Sequence, residues 1–279
     1  MFQDIAPHAL NTKYTPRPVQ AADYVIVLHN NQLLLEAGQL PTFADLQQHY
    51  SQSLADPIYL LSVEKTHFFY LNTTLATDDA YRYASLNVFR TLQPKWLAFA
   101  AVTAAHLAAW YRDNQFCGRC GQILTRGSEQ RELICPNCGL EIFPKISPVI
   151  IVGVKHGERL LLTKYAAQSG YSHYALIAGF VEIGETLEGA IRREVFEETG
   201  LEVKNAQYFQ SQPWGFSQSI LMGFFADLAD DAYDTALYKD DRGELSERKW
   251  FERQVIPDDD TTLSLTWTMI KAFHNGEIA

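Results

Sequence analysis

Two groups of side chains in this sequence have the types and spacing to hold a cation. The first is a run of carboxylates. Glu194, Glu197 and Glu198 follow Arg193 within GFVEIGETLEGAIRREVFEETGL, Gly179 to Leu201. On a helix turning by about 100° per residue, the three carboxylates fall within an arc of roughly 100°. That arc overlaps the apolar side formed by Leu187, Ala190, Ile191 and Val195, so the carboxylates are not turned fully to water. Glu194 and Glu198 stand one helical turn apart, within mutual reach. Close carboxylates at a core edge are costly unless a cation neutralises them. Their place near the helix C-terminus is also the wrong sign for the macrodipole. A divalent metal removes both costs, and hard oxygen ligands select Mg²⁺ or Mn²⁺. The competing reading is a solvated charged face with Arg192 and Arg193 as partners. Gly179 and Gly184 flank a loop that delivers Glu182 and Glu185 just before the helix, which favours the metal.

The second group holds every cysteine in the chain. CGRC supplies Cys117 and Cys120; CPNC supplies Cys135 and Cys138. Two C-x-x-C knuckles offer the four corners of a tetrahedral Zn²⁺ site. Gly118, Gly121 and Gly139 permit the sharp turns. Two disulfides or redox pairs are the alternative, which the absence of an export signal and of a thioredoxin-like context disfavours. Four thiolates leave no open coordination position, so such a zinc is structural.

These groups need elements to place them. The sequence reads as three segments of a 279-residue chain. Residues 1–95 form a β-rich domain, with hairpins from DYVIVLH and QLLLEA around an HNN turn, and from PIYLLSV and HFFYLN. Residues 96–143 give an amphipathic Ala-rich helix to Tyr111 and then the ribbon. Residues 144–279 alternate strands with a helix from about Thr186 to Thr199, stopped by Gly200 as a C′ glycine, and a last helix from about Ser264 to Asn275. Strands interleaved with helices predict an α/β sandwich. The net charge of −10 argues against binding nucleic acid by charge alone, without excluding an RNA end in a local site. No secretory signal opens the chain, and WLAFAAVTAAHLAAWY falls short of a bilayer span. A cytoplasmic protein with no membrane partner is expected.

The carboxylate segment resembles the Nudix box, G-x5-E-x7-R-E-U-x-E-E-x-G-U with U aliphatic, at every fixed position. Gly179, Glu185, Arg193, Glu194, Val195, Glu197, Glu198, Gly200 and Leu201 fill it. Downstream, SQPWGFSQS, Ser211 to Ser219, resembles the SQPWPFPxS signature of the NADH pyrophosphatases. These are zinc-ribbon Nudix hydrolases that cleave NAD(H) and remove NAD caps from RNA. The resemblance runs from about Trp110 to the end; the first hundred residues carry no diagnostic motif. It implies an α/β/α Nudix sandwich preceded by a zinc ribbon and a β-rich N-terminal domain.

The resemblance also implies roles. Glu194 and Glu198 are metal ligands, and Glu197 joins them or orients metal-bound water. Ala178 offers a backbone carbonyl. Glu244 completes the metal shell; Glu247 is its rival, three residues on and facing the opposite side of a strand. Arg193 fixes the carboxylates and Glu185 supports it. Glu198 and Glu197 carry catalysis. Phe180 and Trp214 are rings for stacking, with Phe216 on the same signature loop. Gln212, Gln218 and Ser219 give polar contacts. Phe143 stands where the family often has Tyr. Thr266, in an SLT that resembles the family's S-I-A, stands where an Ala backbone meets substrate. Gly215 and Ser217 replace two prolines, which predicts a more flexible loop. A homodimer is implied, with residues of both chains near each site.

Three functions compete: hydrolysis of NAD(H) and NAD-capped RNA, a broader Nudix activity on ADP-ribose or a nucleotide sugar, and a ligand sensor without catalysis. The intact carboxylates disfavour the sensor, and SQPW favours the first over the second.

Overall fold

Turn residues that tolerate left-handed backbone organise the first strands. The computed structural model describes residues 1–50, 54, 56–166, 173–229, 245–257 and 263–278. Asn30 and Asn31 take φ of 48° and 58° and close a two-residue hairpin turn with His29 opposite Gln32. The strands are β1 (Leu10–Asn11), β2 (Tyr24–Ile26), β3 (Leu28–His29) and β4 (Gln32–Glu36). DYVIVLH is thus shared between two sheets. Its second half forms the expected hairpin with β4, while β2 pairs in parallel with β6 (Thr66–Tyr70). The second expected hairpin joins β5 (Ile58–Val63) to β6. Two sheets result, in the order β1-β5-β6-β2 and β3-β4-β7, where β7 is Tyr81–Ser85.

A short helix, α1 (Phe43–His49), is not anticipated by the strand reading. Its signal is a capping box. The Thr42 hydroxyl accepts from the Asp45 N–H, and the Asp45 carboxylate accepts from the Thr42 N–H at 2.8 Å. The Ala-rich helix α2 runs longer than expected, Lys95–Asp113. It is buried around most of its circumference rather than on one stripe; Ala98, Ala100, Ala101, Ala104 and Ala108 are wholly inside. Methyl side chains let this helix sit close to its neighbours at no rotamer cost. Among the described residues, no helix is long and apolar enough to cross a membrane.

The ribbon follows as β8 (Thr125–Arg126), β9 (Leu133–Ile134) and β10 (Glu141–Ile142), in the order β10-β9-β8. It is tied to the preceding strands through main-chain acceptors. The Arg131 guanidinium donates to the carbonyls of Tyr59, Leu60 and Thr12, and the Tyr14 hydroxyl to that of Gly127. Arg126 pairs with Asp56 at 2.6 Å. Gln3–Ile146, together with Gly215–Gln218, form one of two compact units.

The other unit comprises Met1–Phe2, Ser147–Trp214 and Ser219–Ala279. Its centre is β11 (Ser147–His156), where SPVIIVGV alternates between two cores. β11 pairs in parallel with β15 (Ser219–Leu228), and antiparallel with β12 (Arg159–Tyr165) and β13 (Ile177–Phe180). β14 (Val203–Trp214) and β16 (Leu245–Glu252) form the outer strands. Ile150, Val152 and Val154 point to helix α3 (Leu187–Thr199) and pack with Ala190, Ile191 and Val195. Val149 and Ile151 point the other way, to Leu265, Trp267, Met269 and Phe273 of helix α4 (Leu265–His274). This period-2 division of one strand between two helices makes the α/β/α sandwich. SQPW is strand rather than loop: Ser211–Trp214 continue β14 opposite Met222–Ser219, and only Gly215–Gln218 make the turn. Pro213 is tolerated because β14 is an edge strand, where a missing N–H costs no ladder bond.

Candidate active site and zinc site

Helix α3 begins where the Thr186 hydroxyl accepts from the Gly189 N–H at 3.1 Å and ends at Gly200, φ 69°, whose N–H returns to the Phe196 carbonyl at 2.7 Å. Burial of Ile191 and Val195, worth about 1.5–3 kcal/mol each, anchors it against the sheet. That anchoring carries Glu194 and Glu198 inward; both are only 8% exposed. Glu197 is the more open carboxylate, its side chain 30% exposed.

Arg193 organises this helix face. Its Nε and Nη2 donate to the two oxygens of Glu185, each at 2.9 Å. Its Nη1 reaches Glu194 at 2.6 Å and Glu197 at 3.4 Å. Nη2 also donates to the Phe180 carbonyl at 3.0 Å. One planar guanidinium thereby joins the box loop, the helix and strand β13. The guanidinium beside Glu185 holds that carboxyl below the usual carboxylate range, and its own pKa is raised in return by Glu185 first.

Gly179 explains the first fixed position of the box. A Cβ there would lie 2.0 Å from the Glu194 carboxyl carbon, so only glycine lets that carboxylate lie against β13. The register also fixes the direction of the Ala178 carbonyl. Val181 donates to the Pro148 carbonyl, which makes Ile150–Gly179 a hydrogen-bonded pair and Ile151–Ala178 a non-bonded one. The main-chain groups of Ala178 therefore turn away from β11, to the edge where the Phe180 carbonyl meets Arg193. The oxygens along this edge are of the hard type that Mg²⁺ or Mn²⁺ takes, although among the described residues the four cysteines are the only His, Cys, Asp or Glu side chains gathered closely enough to hold an ion as they stand.

Arg248 was not singled out from sequence. Its Nε donates to the main-chain carbonyl of Glu198 at 2.6 Å, an acceptor that the helix itself leaves unsatisfied. It also brings a cation to a C-terminal turn that has no basic residue of its own. Nothing local in the sequence announces this, because the two residues meet only once β16 is in the sheet. Glu247, the rival metal ligand, accepts from the Tyr174 hydroxyl at 2.9 Å and lies 3.6 Å from the Lys164 ammonium. It shares its strand face with Phe251, on the α4 side, opposite α3. Glu244 lies outside the described residues.

The candidate substrate residues divide between the units. In the sandwich, Phe180 is 55% exposed. Trp214 is half-buried against the α4-side core, and Ser219 is buried at the start of β15. Gln212 is wholly buried, with its carboxamide bonded to Leu263 and Leu265. Thr266 lies in the first turn of α4, half-buried. In the other unit, Arg90 stacks over the Phe216 ring at 4.8 Å. Gly215 lies where a Cβ would meet the Val102 carbonyl at 2.7 Å, so a close approach demands glycine there. Phe216 and Gln218 line a cavity of about 250 Å³ with Asn31, Asn87, His106 and Arg112. Phe143 is exposed beyond β10.

The ribbon's two knuckles repeat one hydrogen-bond pattern. Gly121 donates to the Cys117 carbonyl and Cys117 to that of Gln122; Gly139 donates to Cys135 and Cys135 to Leu140. Gly121 and Gly139 take φ of 74° and 69°. The four sulfurs lie within 4.8 Å of one another. Cys117 and Cys138 are 3.6 Å apart, and Cys120 and Cys135 3.4 Å. A disulfide needs about 2.0 Å, whereas Zn–S bonds of about 2.3 Å put tetrahedral sulfurs close to 3.8 Å apart. Hydrogen bonds from the Asn137 side chain and the Gln122 main chain pull the Cys120 thiol down to about 6, towards the thiolate that zinc binds. The cysteines fit zinc and not disulfides.

Comparison with known proteins agrees with this geometry. Residues 145–269 match the NUDIX domain model, and residues 112–143 the NADH pyrophosphatase zinc ribbon domain. A protein of Pectobacterium atrosepticum named NAD-capped RNA hydrolase NudC is 40% identical over 54% of this chain and 56% of its own length. The match thus spans just over half of that relative. Two more extensive matches bear the same name. That from Shigella dysenteriae is 37% identical over 83% of this chain and 85% of its own. That from Photorhabdus laumondii is 32% identical over 83% and 85%. A solved Nudix hydrolase of Nitrosomonas europaea aligns with 58% of this chain and 90% of its own, at 25% identity and a TM-score of 0.47. With the Nudix box on α3, the four-cysteine ribbon ahead of it and relatives matched over most of their length, the chain belongs to the family of zinc-ribbon Nudix hydrolases that includes the NudC proteins.

Proposed function

We propose that this chain hydrolyses the pyrophosphate bond of NAD(H), giving NMN(H) and AMP, and removes NAD caps from RNA 5′ ends. The observation that carries the reading is the Arg193-ordered carboxylate face of α3 in a chain that also has the ribbon and the SQPW strand. Glu194, Glu198 and the Ala178 carbonyl, with Glu244, would hold Mg²⁺ or Mn²⁺. The cation supplies neutralisation of the diphosphate charge. Glu197, the most open of the three, would orient the attacking water and accept its proton. Arg193 and Glu185 keep the carboxylates in position. Phe180 offers an exposed ring to one base, and Trp214, in the same unit, supplies a further aromatic face. Gln218, Ser219 and Thr266 give polar contacts. The same reading places the protein in the cytoplasm as a homodimer, and divides it into residues 1–95, 96–143 and 144–279.

Side-by-side kinetics on NADH, ADP-ribose and NAD-capped RNA test the assignment. A clear preference for NADH or the capped RNA over ADP-ribose is expected. Equal or better turnover of ADP-ribose moves the broader nucleotide-sugar activity ahead. Glu198→Gln should keep the fold and lose about 10²–10⁴-fold in turnover; near-normal activity with either metal overturns its role.

A further inference from the structure

Gln212 was expected from sequence to touch the dinucleotide. The structure commits it elsewhere. It is wholly buried. Its Nε2 donates to the Leu263 carbonyl at 2.8 Å, and its Oε1 accepts from the Leu265 N–H at 2.7 Å. One carboxamide thus takes both main-chain groups that flank Ser264, the N-cap of α4. The Leu263 carbonyl is held twice, since the Phe2 N–H also donates to it at 3.0 Å.

The remaining groups of that helix start are accounted for in turn. The Ser264 hydroxyl accepts from the Trp267 N–H at 3.4 Å, and the Ser264 carbonyl from the Thr268 N–H at 3.1 Å. Gln212 satisfies Leu265, the first helical residue. Among the described residues, the Thr266 N–H is the donor of this first turn with no partner. Immediately beneath, Gly223 lets the helix press on β15: a Cβ there would meet the Met269 sulfur at 2.7 Å and Leu265 at 3.3 Å. The start of α4 is therefore fixed laterally by packing, and along the chain by Gln212.

We propose that Gln212 is a positioning residue. Its carboxamide locks the N-terminus of α4 to the SQPW strand, so that the Thr266 main chain meets the substrate in one orientation. This rests on the reading of Thr266 as a substrate contact. The role explains why an amide stands there. A carboxamide offers a donor and an acceptor side by side, and a buried peptide C=O and N–H flanking one residue require both. A wholly buried side chain with both ends occupied is poorly placed to report on a ligand.

Two variants of the full chain separate the roles. Gln212→Met keeps the length and removes both bonds. Gln212→Glu keeps an acceptor for Leu265, where the helix N-terminus favours a carboxylate, and loses the donor to Leu263. Hydrogen exchange of the Leu265 amide is read without substrate. It should quicken roughly 3- to 10-fold in Gln212→Met, the size of one lost net hydrogen bond, and stay near wild type in Gln212→Glu, with the amides of α3 unchanged in both. For NADH, KM should rise by a similar factor in Gln212→Met with kcat held within about twofold, because the metal-binding face lies on the other side of the sheet. Leu265 exchange at the wild-type rate in Gln212→Met overturns the proposal, as does an unchanged KM. If Gln212→Met does not fold, Leu265 exchange in Gln212→Glu decides alone: protection kept supports the bond, protection lost refutes it. A wild-type protein inactive on NADH would instead defeat the functional reading, while the exchange result still stands for Gln212.

Discussion

Arg193 grips Glu185 with two parallel hydrogen bonds of 2.9 Å, while the free edge of the same guanidinium reaches Glu194. The pair joins residues eight apart, across the entry to the helix rather than along it. A lysine has the charge but not the fork. Arg193→Lys should therefore fold normally and lose about 10–100-fold in kcat/KM, the cost of removing a group that orients metal ligands. A loss below about threefold would show that charge alone suffices.

Gly179→Ala separates geometry from stability. The three atoms nearest an added methyl are those of the Glu194 carboxylate, the far end of a flexible side chain, with its carboxyl carbon at 2.0 Å. The carboxylate can swing aside, so thermal unfolding should move little. Activity should fall by about 10²-fold, as for a reacting group displaced by about 1 Å. A large drop in Tm with activity kept per folded molecule would mean that the backbone, not the carboxylate, gives way.

Zinc is expected at one equivalent per chain, bound by the four sulfurs. Cys138→Ser should lose it and lower the unfolding temperature, because metal binding is part of the folding free energy. Loosening should spread beyond the ribbon. Arg131 ties the ribbon to carbonyls of Tyr59 and Thr12, so amides of β5 should exchange faster in the variant. Elemental analysis and hydrogen exchange check the two parts separately.

Acid should weaken the clasp at the end of α4. Arg253 donates to the carbonyls of Phe273 and Ile278, lies over the Phe273 ring at 4.1 Å and pairs with Glu158 at 2.5 Å. The hydrogen bond from Arg253 holds the Glu158 carboxyl below its ordinary value. A carboxyl with a depressed folded-state pKa contributes stability above its unfolded value of about 4.3, and that contribution fades as pH falls through the lowered folded value. Glu158→Gln should therefore lower Tm at neutral pH, with the difference from wild type shrinking as pH drops below about 4. A difference independent of pH would rule out the ion pair as its source.

The carboxylate-bearing helix α3 was legible in the sequence because its signals are local. Thr186, the apolar spacing of Ile191 and Val195, and Gly200 all act within a few residues. The ribbon was legible for the same reason, with its knuckles written as C-x-x-C. The capping box of Thr42 and Asp45 was equally local and was passed over beside strong strand signals. What could not be read was set by distant partners. Arg248 meets the Glu198 carbonyl across 50 residues of sequence, and Gln212 meets Leu263 and Leu265 across 51 and 53. The resemblance to the SQPWPFPxS signature implied a ligand contact for Gln212, and only the fold showed its amide bonded to Leu263 and Leu265. SQPW read as loop, yet it continues β14, an edge strand that accepts Pro213.

The double hold on the Leu263 carbonyl has a consequence for biosynthesis. Phe2 is made about 260 residues ahead of Leu263. At about 5–20 residues per second, the Phe2 N–H must wait roughly 10–50 s for its acceptor to be made. The sandwich can therefore gain this seam only after translation has passed residue 263, when the strands and ribbon of the other unit have already been made. A ribosome stalled before residue 263 would carry a chain in which the Phe2 N–H still lacks this acceptor.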